Sequence, residues 1–137
     1  MAKLIQDIWI LRDSGIVVFH RVFGNHLDAQ LFGGLMTTLN LFAEELSSGG
    51  LSNFELSNKR FSIIKKNRYL FIANSSKDKK VKKVHQEIET IVQKFFDKYS
   101  EEELNDFSGN INVFSSFEKE IEGSLEETIR RFQKAFW

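Results

Sequence analysis

The sequence predicts an α/β (α+β) domain of order strand, strand, helix, three strands, helix, helix, with antiparallel strands and helical layers on both faces of the sheet. Three observations lead there. Apolar runs over residues 4–11 and 16–23 flank Arg12-Asp13-Ser14-Gly15, and a turn cluster between β-branched and aromatic stretches predicts a hairpin. Short runs over 51–57, 61–65 and 69–74 follow one another too closely for crossover helices, so they predict an antiparallel meander. Apolar residues three and four apart, over about 28–46 and 76–99, predict helices on either side of that meander.

In the hairpin, side-chain alternation sends Ile8 and Ile10 to one face and Trp9 and Leu11 to the other. Both faces are apolar. A strand of that kind needs cover above and below, which places the hairpin at the centre of the sheet. Gly24-Asn25-His26 then reads as a turn, and Asp28 as a first-turn acid that helps a helix start. Leu31, Leu35, Leu39, Phe42 and Leu46 share one face of that helix, Phe32, Met36 and Ala43 widen the stripe, and Leu41 lies off it. Gly33-Gly34 inside a helix costs about 1 kcal/mol per glycine relative to alanine, which implies close approach of its backbone to the sheet or to a second chain. Ser47-Ser48-Gly49-Gly50 closes the helix.

In the meander, Tyr69-Leu70-Phe71-Ile72 is apolar on both faces and belongs in the middle. Residues 51–57, where Asn53, Glu55 and Ser57 alternate with Phe54 and Leu56, have the pattern of an edge strand. With Ser75 or Ser76 as cap, Val81, Val84, Ile88, Ile91, Val92, Phe95, Phe96 and Tyr99 predict a long amphipathic helix. Ser100-Glu101-Glu102-Glu103 fits a capping box for a short helical turn, broken by Ser108-Gly109-Asn110. A last helical pattern runs through Val113, Phe114, Phe117 and Ile121, then Leu125, Ile129, Phe132 and Phe136, with Gly123-Ser124 as either a kink or a break.

At 137 residues the chain reads as one domain, 1–137, with its core at about 4–122 and residues 124–137 as a terminal helix or extension. Fourteen Phe stand beside no Cys and no Pro. No disulfide framework is available, and neither a signal-peptide pattern nor a run of roughly 18 apolar residues occurs, so the expected setting is cytoplasmic. A net charge of zero conceals segregation. Residues 1–58 carry three basic and six acidic groups, 59–83 ten and one, and 84–137 six and twelve. Lys77, Lys79, Lys80, Lys82 and Lys83 crowd the first turns of a helix, where the macrodipole opposes cations by roughly 0.3–1 kcal/mol each. Joined by Lys59, Arg60, Lys65, Lys66 and Arg68 they would form one surface suited to anionic lipid or an acidic partner; a merely solvated face is the simpler alternative. Few aromatics are interleaved, so nucleic acid is a poor fit. His20, His26 and His85 are too scattered for a metal centre, and neither a Gly-x-Ser-x-Gly elbow nor a Gly-x-x-x-x-Gly-Lys loop is present. No catalytic residue, cofactor or metal is expected. The terminal stripe of Leu125, Ile129, Phe132, Phe136 and Trp137 either folds onto the core or meets a partner or membrane surface.

The order of elements resembles the longin domain of the longin/roadblock superfamily. The resemblance rests on Ile8-Trp9-Ile10-Leu11-Arg12-Asp13-Ser14-Gly15-Ile16-Val17-Val18-Phe19, on Gln30-Leu31-Phe32-Gly33-Gly34-Leu35-Met36-Thr37-Thr38-Leu39, and on Phe54-Glu55-Leu56 and Phe61-Ser62-Ile63-Ile64 before Leu70-Phe71-Ile72-Ala73. It covers the chain to about Ile121 and is closest in kind to free-standing archaeal longin-like proteins and the longin domains of eukaryotic vesicle traffic. The roadblock domain begins with an extra helix, whereas this chain enters a strand by about Leu4, which favours longin. The resemblance implies a five-stranded antiparallel sheet, β-β-α-β-β-β-α-α, with one helix on one face and two on the other. It also implies a non-catalytic interaction module whose partner is a small Ras-like GTPase, a membrane-trafficking complex or another longin or roadblock domain. By place in the pattern, the contacts would fall at Gln30, Gly33, Gly34, Thr37 and Leu41 on the first helix and at Asn53, Glu55 and Ser57 on the third strand. Two alternatives stand beside it: a homodimeric roadblock-like scaffold without GTPase contact, and a peripheral membrane adaptor using the basic 59–83 block.

Overall fold

The computed structural model describes residues 4–22, 28–47, 49–50, 52–55, 59–105 and 111–122. Strand β1 (Asp7–Arg12) has five consecutive buried residues, and β5 (Tyr69–Ser76) has seven. Strands apolar on both sides belong inside a sheet, and these two pair with each other, Trp9 opposite Ile72 and Ile10 opposite Phe71. Around them stand β2 (Val17–Arg21), β3 (Asn53–Glu55) and β4 (Lys59–Lys66) in the order β2-β1-β5-β4-β3, every pair antiparallel. The hairpin is therefore not the centre of the sheet: β1 is interior, but β2 is an edge and β5 takes the middle. Burial explains it, since Val17 to Phe19 are covered while His20 is exposed and Arg21 half-exposed. β3 occupies the opposite edge, as its polar alternation predicts.

Helix α1 (Ala29–Leu46) covers one face, over Trp9, Leu11, Val17, Phe61, Ile63, Leu70 and Ile72. Asp28 is its N-cap rather than a first-turn acid, its carboxylate accepting from the Gln30 and Leu31 N–H groups. The other face carries α2 (Val81–Lys98), α3 (Glu101–Asn105), a 3-10 helix (Ile111–Phe117) and α4 (Glu118–Ile121). There Phe71 meets Phe95 edge to face at 5.4 Å between ring centroids, and Phe95 meets Phe117 likewise at 5.4 Å. Phe114 and Phe117, three residues apart, lie in the 3-10 helix and not in an α-helix; a three-residue period stacks both against the core.

Two helix boundaries differ from expectation. Ser75 and Ser76 do not cap α2, because β5 continues through them to pair with Arg60 and Lys59. A turn closed by Lys79 N–H to Ser76 C=O follows, and α2 starts at Val81 with Lys80 as N-cap. The Ser100 capping box is present: the Glu103 N–H donates to Ser100 Oγ at 3.1 Å, opening α3. Gly123-Ser124 and the terminal stripe lie outside the described residues. A buried polar pair ties the open end of the sheet: Asn74 Oδ1 accepts from the Asp7 N–H at 2.9 Å, and Asn74 Nδ2 donates to Asp7 Oδ2 at 3.0 Å.

Candidate protein interface

At 100° per residue, Leu31, Leu35, Leu39, Phe42 and Leu46 fall within about 80° of arc on α1, and Phe32, Met36, Ala43, Gly33 and Asn40 occupy roughly the next 100°. The sheet takes only the second sector. Phe32, Gly33, Met36 and Asn40 are buried, whereas Leu31 is 73% exposed, Leu35 56%, Phe42 66% and Leu46 77%. The leucine stripe expected to lead the core face thus points outward, and the residues read as widening it are the ones that pack. Aromatic bulk decides the rotation: Phe32 lies 4.2 Å from Trp9 and 6.1 Å from Phe61 between ring centroids, a cluster the leucines do not replace.

Glycine permits that rotation. A Cβ on Gly33 would stand 2.5 Å from the Gly15 carbonyl oxygen and 2.6 Å from Val17 Cγ2, so α1 lies against the β1–β2 turn at glycine distance. A methyl added to Gly34 would meet nothing within 4 Å, and this glycine faces outward. Of the two glycines, one serves close approach to the chain's own sheet.

The other residues singled out on α1 divide the same way. Gln30 is structural: its side-chain amide accepts from the Val17 N–H and donates to the Val17 carbonyl, both at 3.0 Å, so it imitates a paired strand along the β2 edge. Thr37 is half-buried near Gly15, its hydroxyl oxygen buried without a hydrogen-bond partner among the described residues. Leu41 is 56% exposed. On β3, Asn53 and Glu55 are exposed, and Ser57 lies outside the described residues. Glu55 meets Lys77 at 3.2 Å and Arg60 at 3.4 Å; the Lys77 bond first, and Arg60 after it, hold its carboxyl below the ordinary value against the opposing effect of desolvation. Phe54 turns to the α1 side and stacks on Phe61 at 4.8 Å.

The basic block is two groups and not one surface. Lys59 pairs with Ser76, but Lys66 pairs with Tyr69, seven residues along the ladder, which at about 3.3 Å per residue separates the ends by roughly 23 Å. Lys65 bonds Glu44 on α1 at 2.9 Å, and Lys66 lies over the Phe96 ring on the opposite face. At the other end, Lys77 is held by Glu55, and the Lys77 and Lys79 carbonyls accept from Arg60. Lys80, Lys82 and Lys83 are exposed at the start of α2, which has neither a side-chain cap nor an acid in its first turn.

Leu31, Leu35, Leu39, Phe42 and Leu46 are thus the site residues that sequence reasoning placed on the wrong side. The apolar residues of α1 span about 140°, as those of α2 do, so the width of the stripe in the sequence does not reveal which part of it the sheet takes. Among the described residues, no group of three or more His, Cys, Asp or Glu is placed to hold a metal ion, and no helix is long and apolar enough to cross a membrane.

No family model matches the sequence, and no curated protein matches it. Solved structures do. The chain is similar to Myxococcus xanthus MglB (10% identity, TM-score 0.56, 69% of this chain and 85% of that one) and to the gliding protein MglB of Thermus thermophilus (8%, 0.53, 61% and 70%). It is also similar to a Roadblock/LC7 domain from Streptomyces avermitilis (14%, 0.52, 66% and 81%). Among the described residues, a five-stranded antiparallel sheet carries one helix on one face and the others on the opposite face, and the chain has a longin/roadblock-type fold.

Proposed function

We propose that this protein is a non-catalytic interaction module that receives a protein partner on the outer face of α1 and the adjoining β3 edge. One observation carries the reading: Leu31, Leu35, Phe42 and Leu46, on one face of a single helix, are each more than half exposed. A contiguous apolar patch of this kind marks a protein contact and is a solubility liability without one. From the superfamily resemblance, the partner is a small Ras-like GTPase or a trafficking-type complex. Leu35→Glu with Phe42→Glu tests it. The doubly substituted chain should keep the fold by circular dichroism and lose the GTPase that wild type retains in a pull-down from the native host. Retention by both chains would sink the reading.

Self-association is the second reading, favoured by a specific pattern. Leu35, Leu39, Phe42 and Leu46 repeat at four, three and four residues, the spacing at which two helices pack along a seam, and β3 leaves one edge of the sheet open to strand pairing. Light scattering distinguishes it: a mass of two chains that falls to one in the same double variant supports pairing of copies. The lysines Lys77, Lys79, Lys80, Lys82 and Lys83 support a membrane role only through the three that are exposed and unneutralised by Glu55, namely Lys80, Lys82 and Lys83. Flotation with anionic vesicles that survives their replacement by glutamine would remove that role.

A further inference from the structure

A cleft of about 380 Å³ opens at the turn end of the sheet on the α2 side, far from the outer face of α1. Tyr69, Phe96, Tyr99 and Leu104 form its walls, and Arg68 and Glu101 stand at its rim. Its volume lies within the range of small-molecule sites, and mainly apolar walls with a few polar groups are their usual make-up.

Three features of this cleft are unexplained by the fold. The Tyr69 side chain is 3% exposed, and its hydroxyl has no hydrogen-bond partner among the described residues. A buried donor left unpaired is unfavourable, and native proteins keep few of them. The Tyr99 hydroxyl, by contrast, donates to the Val113 carbonyl at 3.2 Å, so of the two phenols only Tyr69 has a donor to offer. Next, the two-residue turn between β4 and β5 holds Asn67 at φ 50° and Arg68 at φ 70°. Such a turn favours Asn-Gly, and a long side chain at the second position is strained there. Finally, cations gather on the aromatic walls: the Arg12 guanidinium lies 6.0 Å from the Tyr69 ring centroid, and Lys66 Nζ lies 5.9 Å from that of Phe96. Lys98 Nζ lies 5.9 Å from the Tyr99 centroid, and with Arg68 these cations are matched in number by Asp13, Glu101, Glu103 and Glu120, but Arg68 is the cation that lines the cleft itself.

We infer that this cleft binds a small aromatic carboxylate, its ring between the walls of Tyr69, Phe96 and Tyr99, its anionic group at Arg68, and an oxygen accepting from the Tyr69 hydroxyl. An arginine is retained at a left-handed turn position because the anion needs it. A phenol is protonated at neutral pH, and burial raises that of Tyr69 further still, so it remains a donor. The site is independent of the α1 reading.

The test uses the full chain, with indole-3-acetate as probe and its neutral amide and tryptamine as comparators, read by backbone amide chemical shifts. The acetate should bind saturably, shifting Arg68, Phe96 and Leu104, with the amide weaker and tryptamine weakest. Tyr69→Phe should weaken the acetate roughly two- to tenfold, the value of one hydrogen bond. Arg68→Gly should raise the unfolding temperature and still weaken the acetate by about tenfold, a split that a purely structural arginine does not produce. Glu101→Gln should tighten it about twofold by removing a like charge. Absence of shifts at millimolar acetate, equal binding of tryptamine, or undiminished binding by Arg68→Gly would each overturn the proposal.

Discussion

The two faces of the sheet are built from similar material and finished differently. On the α2 side, the amphipathic stripe of Val84, Ile88, Ile91 and Phe95 turns inward, and the chain's own later segments, through Phe114, Phe117 and Ile121, cover what remains. On the α1 side, a helix apolar over a similar sector contributes Phe32 and Met36 to a smaller cluster and leaves its leucines outside. Period alone does not distinguish a helix that completes a core from one that also builds a contact surface. Nor does the width of the apolar sector, about 140° on both helices; what differs is whether later segments of the chain cover it.

The comparison can be broken by substitutions matched across it. Phe95→Ala should cost about 3–5 kcal/mol in urea denaturation, because the ring touches Tyr69, Phe71, Phe114 and Phe117 in a filled core, whereas Phe42→Ala should stay within about 0.5 kcal/mol. Equal losses would show that the outer face of α1 is covered in the isolated chain. Gly33→Ala, which must displace backbone at Gly15, should destabilise by roughly 1–3 kcal/mol; Gly34→Ala, in open space, should stabilise by about 1 kcal/mol. If both glycines behave alike, α1 does not lie against the turn as described. Gln30→Ala removes two bonds to Val17 and should lower the unfolding free energy by about 1–2 kcal/mol, with faster amide exchange at Val17 as the local readout.

The smallest expected effect concerns the ion pair that ties α1 to β4. Lys65, by its hydrogen bond first and Asn40 to a lesser degree, holds the Glu44 carboxyl below its ordinary 4.5 against a modest desolvation. A carboxylate with a lowered folded-state value stabilises above the unfolded value, and that contribution disappears as pH falls through the folded one. Wild type should therefore exceed Glu44→Gln slightly at about pH 6 and match it at about pH 3. A difference that persists in acid would assign it to packing instead.

Much of this architecture was legible in the residues. The double-sided runs at Ile8 to Leu11 and Tyr69 to Ile72 identify two interior strands, and the polar alternation of Asn53 and Glu55 identifies an edge. The position of β2 was not, since Val17-Val18-Phe19 reads as interior until the exposure of His20 is seen. The rotation of α1 was not legible either: two neighbouring stripes share one period, and long-range stacking of Trp9, Phe32 and Phe61 chooses between them. The lysines were grouped by adjacency in sequence, and the length of an eight-residue hairpin separates them.

The Gln30 amide also sets a limit on growth. By occupying both main-chain groups of Val17, it denies the first rung of the β2 margin to any incoming ribbon, while the β3 margin keeps its outer row. An incoming ribbon would have to displace that amide before it could zip along β2, so a side chain of the chain's own helix guards the opening of that margin against main-chain pairing.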